Sequence, residues 1–358
     1  MNFFLVTGLY RSGTTLLEKL LLQHPAISIA SQPYPGFYHY LKKRFNELHG
    51  IASVYPVNTR MGDEYFAMYD FTSFLKTYKI GERDKQELGI DIGENSPATF
   101  IELFRELQSL AVKKQISDTT MYAGSKEILC EEYIGALLEN GIRVVHIVRD
   151  PRDVLCSTAF GKEYTGKIRP SLYTIRMWRK SVAFRMHYSE HPLFYSLTYE
   201  ELVNAPQEAM NALTNFFGIG AMEVQPALKD QQGNVWKSNS SFIKSEQITS
   251  VSVGNYQKVF NPDFITYVTT LCAPELNYLR YKCKEVMDIK NIFEGFKEPF
   301  PVDHELFQPD YSTSGPNRAM ELKRAELLKT DEVSLQEIER YYQFESVYKI
   351  LQKHAPKN

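Results

Sequence analysis

The sequence predicts an α/β fold in three layers, a central parallel sheet with helices on both faces. Three observations carry that prediction. Residues 2–8 form a short apolar run, closed by Gly8 and followed at once by a helical pattern. Residues 143–148 form a second run, rich in β-branched side chains, that also feeds directly into a helix. Elsewhere strand-like and helix-like stretches alternate, which is the order of a parallel sheet wrapped by crossover helices.

The elements follow in order. The unbroken apolar run 2–8 reads as a strand buried on both faces. Leu16, Leu17, Leu20 and Leu21 mark one face of the first helix, which His24-Pro25 closes. Residues 26–30 supply a second strand. Residues 33–85 are irregular and aromatic, with Phe37, Tyr38, Tyr40, Tyr65, Phe66, Tyr69, Phe71 and Phe74. They read as helices and loops over one end of the sheet, where an acceptor could bind. A helix is expected over 97–111, a strand over 121–126, and a helix over 131–140 with Gly141 as its C-cap. After the strand 143–148, Asp150 suits an N-cap and Pro151 the first helical position. Residues 194–197 read as a strand, and 206–217 as a helix stopped by Gly218. Residues 226–262 are loop-rich, and 263–295 hold one or two helices. Residues 318–329 and 334–353 read as exposed amphipathic helices, the second opened by the capping-box pair Ser334 and Glu337. The expected division is a main domain at 1–298, a linker at 299–317 and a C-terminal helical extension at 318–358.

Bulk properties narrow the function. In 358 residues, 43% are hydrophobic and 23% charged, enough for a substantial core. A net charge of −2 argues against broad electrostatic binding to nucleic acid, although a local basic pocket is compatible with it. Cys130, Cys156, Cys272 and Cys283 show no C-x-x-C spacing and read as reduced thiols of a cytoplasmic protein. No stretch resembles a signal peptide or a membrane span.

The segment Gly8-Leu9-Tyr10-Arg11-Ser12-Gly13-Thr14-Thr15 carries the strongest chemical signal. A strand ends in a glycine-bounded turn that opens a helix. Backbone N–H groups and the helix N-terminus then converge on one anion. The outline is P-loop-like, but the phosphate-binding lysine of that motif would fall at position 14, where Thr14 stands. Arg11 lies inside the loop instead. The cradle therefore suits an anionic nucleotide and is poorly equipped for the γ-phosphate and Mg²⁺ of ATP. A second anion feature pairs Arg149, at the end of a strand, with Ser157, two helical turns on. Arg149 offers a planar charged fork and Ser157 a hydroxyl to one phosphate. Ligands of open parallel sheets bind at such strand ends.

These segments resemble the PAPS-dependent sulfotransferase family. Gly8 to Leu17 looks like that family's loop for the 5′-phosphosulfate. Val148-Arg149-Asp150-Pro151-Arg152-Asp153-Val154-Leu155-Cys156-Ser157 looks like its 3′-phosphate site, and Tyr199-Glu200-Glu201-Leu202-Val203 with Pro206 resembles a segment that follows both. Ser252-Val253-Gly254-Asn255-Tyr256 is similar to the family's Ser-x-Gly-Arg-Trp segment, with Asn255-Tyr256 replacing Arg-Trp. The resemblance covers residues 1–260. Arg11 makes the loop more like the tyrosylprotein, carbohydrate and bacterial branches than the small-phenol branch.

The resemblance implies transfer of a sulfuryl group from 3′-phosphoadenosine-5′-phosphosulfate (PAPS) to an acceptor hydroxyl or amine of a carbohydrate, natural product or other small molecule. PAP is the other product, and no metal is required. It implies donor binding by Arg11, Ser12, Gly13, Thr14, Thr15, Arg149, Ser157, Tyr199 and Ser252. It implies that Arg11 holds the bridging and leaving oxygens, and that Lys126 stabilises charge on the transferring group. For the general base, some relatives carry Glu where this chain has Gln32. The remaining candidates are Glu94, His39 and Glu127, with Glu94 ahead because Glu-x-Ser there resembles carbohydrate N-sulfotransferases. Two other readings stay open: a P-loop kinase or nucleotidase, and a non-catalytic nucleotide-binding protein of the same fold. A homodimer is also open, with the C-terminal helices pairing subunits or capping the cleft.

Overall fold

The computed structural model describes residues 1–50, 71–89, 99–160, 167–230, 233–238, 240–242, 244–284, 286–300 and 311–356. Five strands form one sheet: β1 (Asn2–Thr7), β2 (Ile27–Ser31), β3 (Tyr122–Lys126), β4 (Arg143–Val148) and β5 (Phe194–Thr198). Their order is β2-β3-β1-β4-β5, and every pairing is parallel. In the central strand, Leu5 lies opposite Ser125 on one side and Val144 on the other.

Alternate side chains of a strand point to opposite faces, and both faces here are covered. Phe4, Val6, Val145 and Ile147 pack with Leu17, Leu20, Leu213 and Phe217, from the helices Thr14–Leu21 and Pro206–Phe217. Leu5 and Val144 face the other way, against Phe100, Leu103, Phe104 and Leu137. Burial on both faces is why these strands read as unbroken apolar runs. The three-layer α/β architecture is the expected one.

Element boundaries differ where caps decide them. The helix expected from 97 begins at Phe100, because Thr99 and Glu102 form a capping box. The aromatic segment supplies the helices Pro35–Leu48, Phe71–Thr77 and Glu82–Leu88. Phe37, Tyr38, Phe45, Phe71 and Phe74 are core residues there. Tyr65, Phe66 and Tyr69 lie outside the described residues, as does most of the expected linker.

The helix Ser171–Tyr188 has no counterpart among the expected elements. It carries Arg176, Arg179 and Lys180, yet all three are buried. Arg176 and Arg179 pair with Glu321 at 2.8 and 2.7 Å, and Lys180 pairs with Glu132. The helices Gly315–Leu327, Leu335–Tyr342 and Glu345–His354 are not the exposed pair expected. Leu327, Ile338, Tyr342, Val347 and Leu351 enter the hydrophobic cluster that holds Trp178. All four cysteines are free thiols. No described helix is long and apolar enough to cross a membrane.

Strand order places the chemistry. The carboxyl ends of β3, β1, β4 and β5 are successive neighbours along one edge. Lys126, the turn after Thr7, Arg149 and Tyr199 therefore emerge side by side, although they are far apart in sequence.

Candidate active site

The turn between β1 and the first helix depends on two glycines. A Cβ at Gly8 would lie 2.3 Å from the carbonyl oxygen of Ile147, so only glycine lets the turn pass β4 this closely. Gly13 has φ +95°, and a Cβ there would meet Tyr199 Cδ2 at 2.5 Å. Arg11 also takes a left-handed conformation, with φ +62°. The helix begins at Thr14 after Gly13, with no side-chain cap on its first N–H groups. A helix N-terminus of this kind attracts an anion. Gly13→Ala is expected to destabilise the protein by roughly 1–3 kcal/mol, from backbone strain and the clash together. Urea unfolding measures this; an unchanged midpoint means that Tyr199 moves aside freely and the packing argument is wrong.

The second feature is braced from several directions. Asp150 caps the helix Pro151–Ala159 by accepting from Arg152 N–H, and its carboxylate also takes the Arg152 guanidinium at 2.6 Å. Arg149 donates through Nη1 to the Arg11 carbonyl (3.2 Å) and through Nη2 to the Ser252 carbonyl (2.6 Å). Its guanidinium lies 4.4 Å from the centre of the Tyr199 ring, and its own carbonyl accepts from Trp178 Nε1 at 2.8 Å. Asp153 accepts from Gly254 N–H (2.7 Å) and Tyr256 N–H (3.1 Å), which fixes the segment carrying Ser252.

Both features open on one cavity of about 210 Å³. Arg11, Gly13, Thr14, Thr15, Lys126, Arg149, Ser157, Tyr199 and Ser252 all line it. Ser12 does not: it is fully buried, and its hydroxyl has no hydrogen-bond partner among the described residues. Glu94 lies outside the described residues. Arg11 reaches across the cavity, its Nε 3.0 Å from Ser157 Oγ and its Nη2 on Ser241 Oγ. A strand-end cradle and a distant Arg-Ser pair thus form one wall. The model of the sulfotransferase family matches residues 4–223. The chain belongs to the sulfotransferase family.

Solved structures similar to this chain include several sulfotransferases. The sulfotransferase domain from the curacin biosynthetic pathway is 16% identical, with a TM-score of 0.48, over 79% of this chain and 99% of that one. A sulfotransferase from Alicyclobacillus acidocaldarius is 13% identical, with a TM-score of 0.41, over 78% of this chain and 96% of that one. A mouse sulfotransferase complexed with PAP is 12% identical, with a TM-score of 0.40, over 77% and 84%. No curated protein matches the chain.

In this sulfotransferase a second cavity, of about 170 Å³, adjoins the first and shares Gln32 and Ile128 with it. Tyr38, His39 and Glu127 line it. Consecutive residues at the end of β3 therefore serve different cavities, Lys126 the first and Glu127 the second. Lys126 Nζ donates to Gln32 Oε1 at 3.0 Å, at the junction. Burial pulls the Lys126 pKa down, while Glu18 and Glu127 oppose it. Burial raises Glu127 to about 7, although the Tyr34 N–H and Lys126 favour its charged form. His39 is held below its usual range by burial and by Lys42 and Lys43.

The motifs did not point to Ser241 or to Trp236, Ser238, Ser240 and Phe242, which line the first cavity with it. The one available signal was the hydroxyl-rich run Ser238-Asn239-Ser240-Ser241 inside a loop with no strand or helix pattern.

Proposed function

We propose that this chain transfers the sulfuryl group of PAPS to an acceptor hydroxyl or amine seated in the second cavity. The convergence of the Gly8–Thr15 turn and the Arg149–Ser157 pair on one cavity carries the reading, because it offers two anion sites to one adenylated donor. The helix N-terminus with Thr14 and Thr15 holds the 5′-phosphate. Arg149 and Ser157 serve the 3′ side, and Tyr199 and Ser252 complete the wall. The acceptor oxygen attacks sulfur and forms the new S–O bond. The bond from sulfur to the 5′-phosphate oxygen breaks, and PAP leaves with that electron pair. The acceptor proton passes to Glu127. Lys126, between the two cavities, offsets the negative charge that develops on the bridging oxygen.

A phosphoryl-transfer reading is less well supported. The carboxylate that the strand-end motif offers to a metal, Asp150, is already held by Arg152 and serves as a helix cap. Thermal unfolding with added nucleotides tests the assignment. PAP at 100 times its dissociation constant is expected to add about 2.7 kcal/mol of stability and raise the midpoint. A rise with ATP·Mg²⁺ and none with millimolar PAP overturns it.

A further inference from the structure

We infer that Lys42 is a positioning residue for the transfer: it clamps the two walls of the second cavity together and so sets where the Glu127 carboxylate meets the acceptor. This rests on the reading of Glu127 as the base. One wall is the helix Pro35–Leu48, which brings Tyr38, His39 and Lys42 to the cavity from one face. The other is the segment that leaves β3, from Glu127 to Cys130. Lys42 crosses between them. Its Nζ donates to the Leu129 carbonyl at 2.6 Å and to the Glu132 carboxylate at 2.8 Å, and its side chain is only 1% exposed. Glu132 also takes Lys180, from the helix Ser171–Tyr188, so the clamp is anchored in the interior.

The segment after β3 needs such a brace. Leu129 has φ +59°, a left-handed conformation that a branched side chain adopts only under constraint from its surroundings. Its N–H donates to the Gly8 carbonyl at 3.1 Å, and the Cys130 N–H donates to Thr7 Oγ1 at 3.2 Å. Those bonds tie the turn to the end of β1, and Lys42 ties it to the facing helix. The same helix touches the base itself, because the Tyr34 N–H at its start donates to the Glu127 carboxylate at 3.4 Å. Two attachments, about two helical turns apart, therefore fix the base against the wall that faces it. Burial is what raises the Glu127 carboxyl to about 7. Lys126, Tyr38, His39, Lys42 and Cys130 surround it. A turn released from Lys42 lets water reach the carboxylate and returns it toward its ordinary range.

Infrared pH titration of the full chain tests this without an acceptor. Subtracting the spectra of the matching Glu127→Gln variant isolates the Glu127 carboxyl band. In wild type the band should titrate at about 7. In Lys42→Met the midpoint should fall toward 4.5, the ordinary value of the group. Lys180 still neutralises Glu132 in that variant, so the fold is expected to survive. Lys42→Arg keeps a donor for both the carbonyl and the carboxylate and should hold the midpoint near 7. PAP affinity, measured by calorimetry, should change less than about threefold in Lys42→Met, because the donor groups line the other cavity. A midpoint unmoved in folded Lys42→Met overturns the inference, since it leaves Lys42 a merely structural role. Loss of PAP binding alongside the shift also overturns it, because the whole strand end has then collapsed. If Lys42→Met does not fold, Lys42→Ala decides by the same readout, since water from the adjoining cavity can fill the space it vacates. A wild-type midpoint near 4.5 sinks the reading of Glu127 as a base tuned to neutral pH, a result distinct from an unmoved midpoint near 7 in the variant.

Discussion

Lys126→Ala is expected to lower kcat by about 10²- to 10³-fold, the usual cost of removing one preorganised charge-stabilising donor. PAP affinity should change far less. The reasoning begins with strand pairing. Lys126 ends β3, opposite Val6, the penultimate residue of β1, so it emerges beside the Gly8–Thr15 turn. Its ammonium group is buried and bonded to Gln32, which lines both cavities. In sulfuryl transfer the bond to the leaving phosphate loosens, and negative charge grows on the bridging oxygen. A cation fixed at the junction stabilises that charge more than it stabilises the bound donor. Single-turnover kinetics at saturating PAPS, paired with PAP titration, separate the two effects. Lys126→Met is the control: it keeps most of the volume and removes a buried charge, so a loss of turnover without a loss of stability is expected. Near-wild-type turnover in both variants would remove Lys126 from the chemistry.

Glu127→Gln is expected to reduce kcat by about 10²- to 10⁴-fold, the range for loss of a general base. The pH profile gives the sharper signature. The Glu127 carboxyl titrates at about 7. Below that pH it is protonated and cannot take the acceptor proton, so wild-type kcat should rise through about 7 and level off above it. The Gln variant should lose that rise. Stability runs the other way. In the unfolded chain the carboxyl titrates near 4.5, and in the fold near 7. Between those values the folded state binds more protons. The stabilising contribution is therefore full below 4.5 and lost as pH rises through 7. At pH 8 the charged Glu127 costs about 2–4 kcal/mol that glutamine avoids. The variant should be less active yet more stable than wild type at pH 8, and the stability gain should vanish near pH 4. A kcat profile still rising near 7 in the variant would assign the base elsewhere, with His39 next in the same cavity.

Much of the candidate site was legible because its signals are local. Gly8 and Gly13 report turns that no other residue fits, and Asp150-Pro151 reports a helix start; each needs only its immediate neighbours. The order of strands and helices then implies a parallel sheet, and strand ends are where such sheets bind ligands. The helix Ser171–Tyr188 was not legible, because Arg176, Arg179 and Lys180 erase the apolar stripe that marks a buried helix. Their partners, Glu321 and Glu132, come from other parts of the chain. Glu321 on a helix near the C-terminus looked like a solvated residue for the same reason.

The sequence by itself determined the layered parallel sheet, the glycine-bounded turn after β1 and the capped helix start after β4, because propensity, capping and glycine geometry act over a few residues. Only the tertiary structure decided which way Arg11 reaches, that Ser241 meets it, and that Glu127 titrates at about 7. Those properties arise from desolvation and from groups more than ninety positions apart, such as Gln32 and Lys126. Local pattern carries no record of such distances; chain packing creates them.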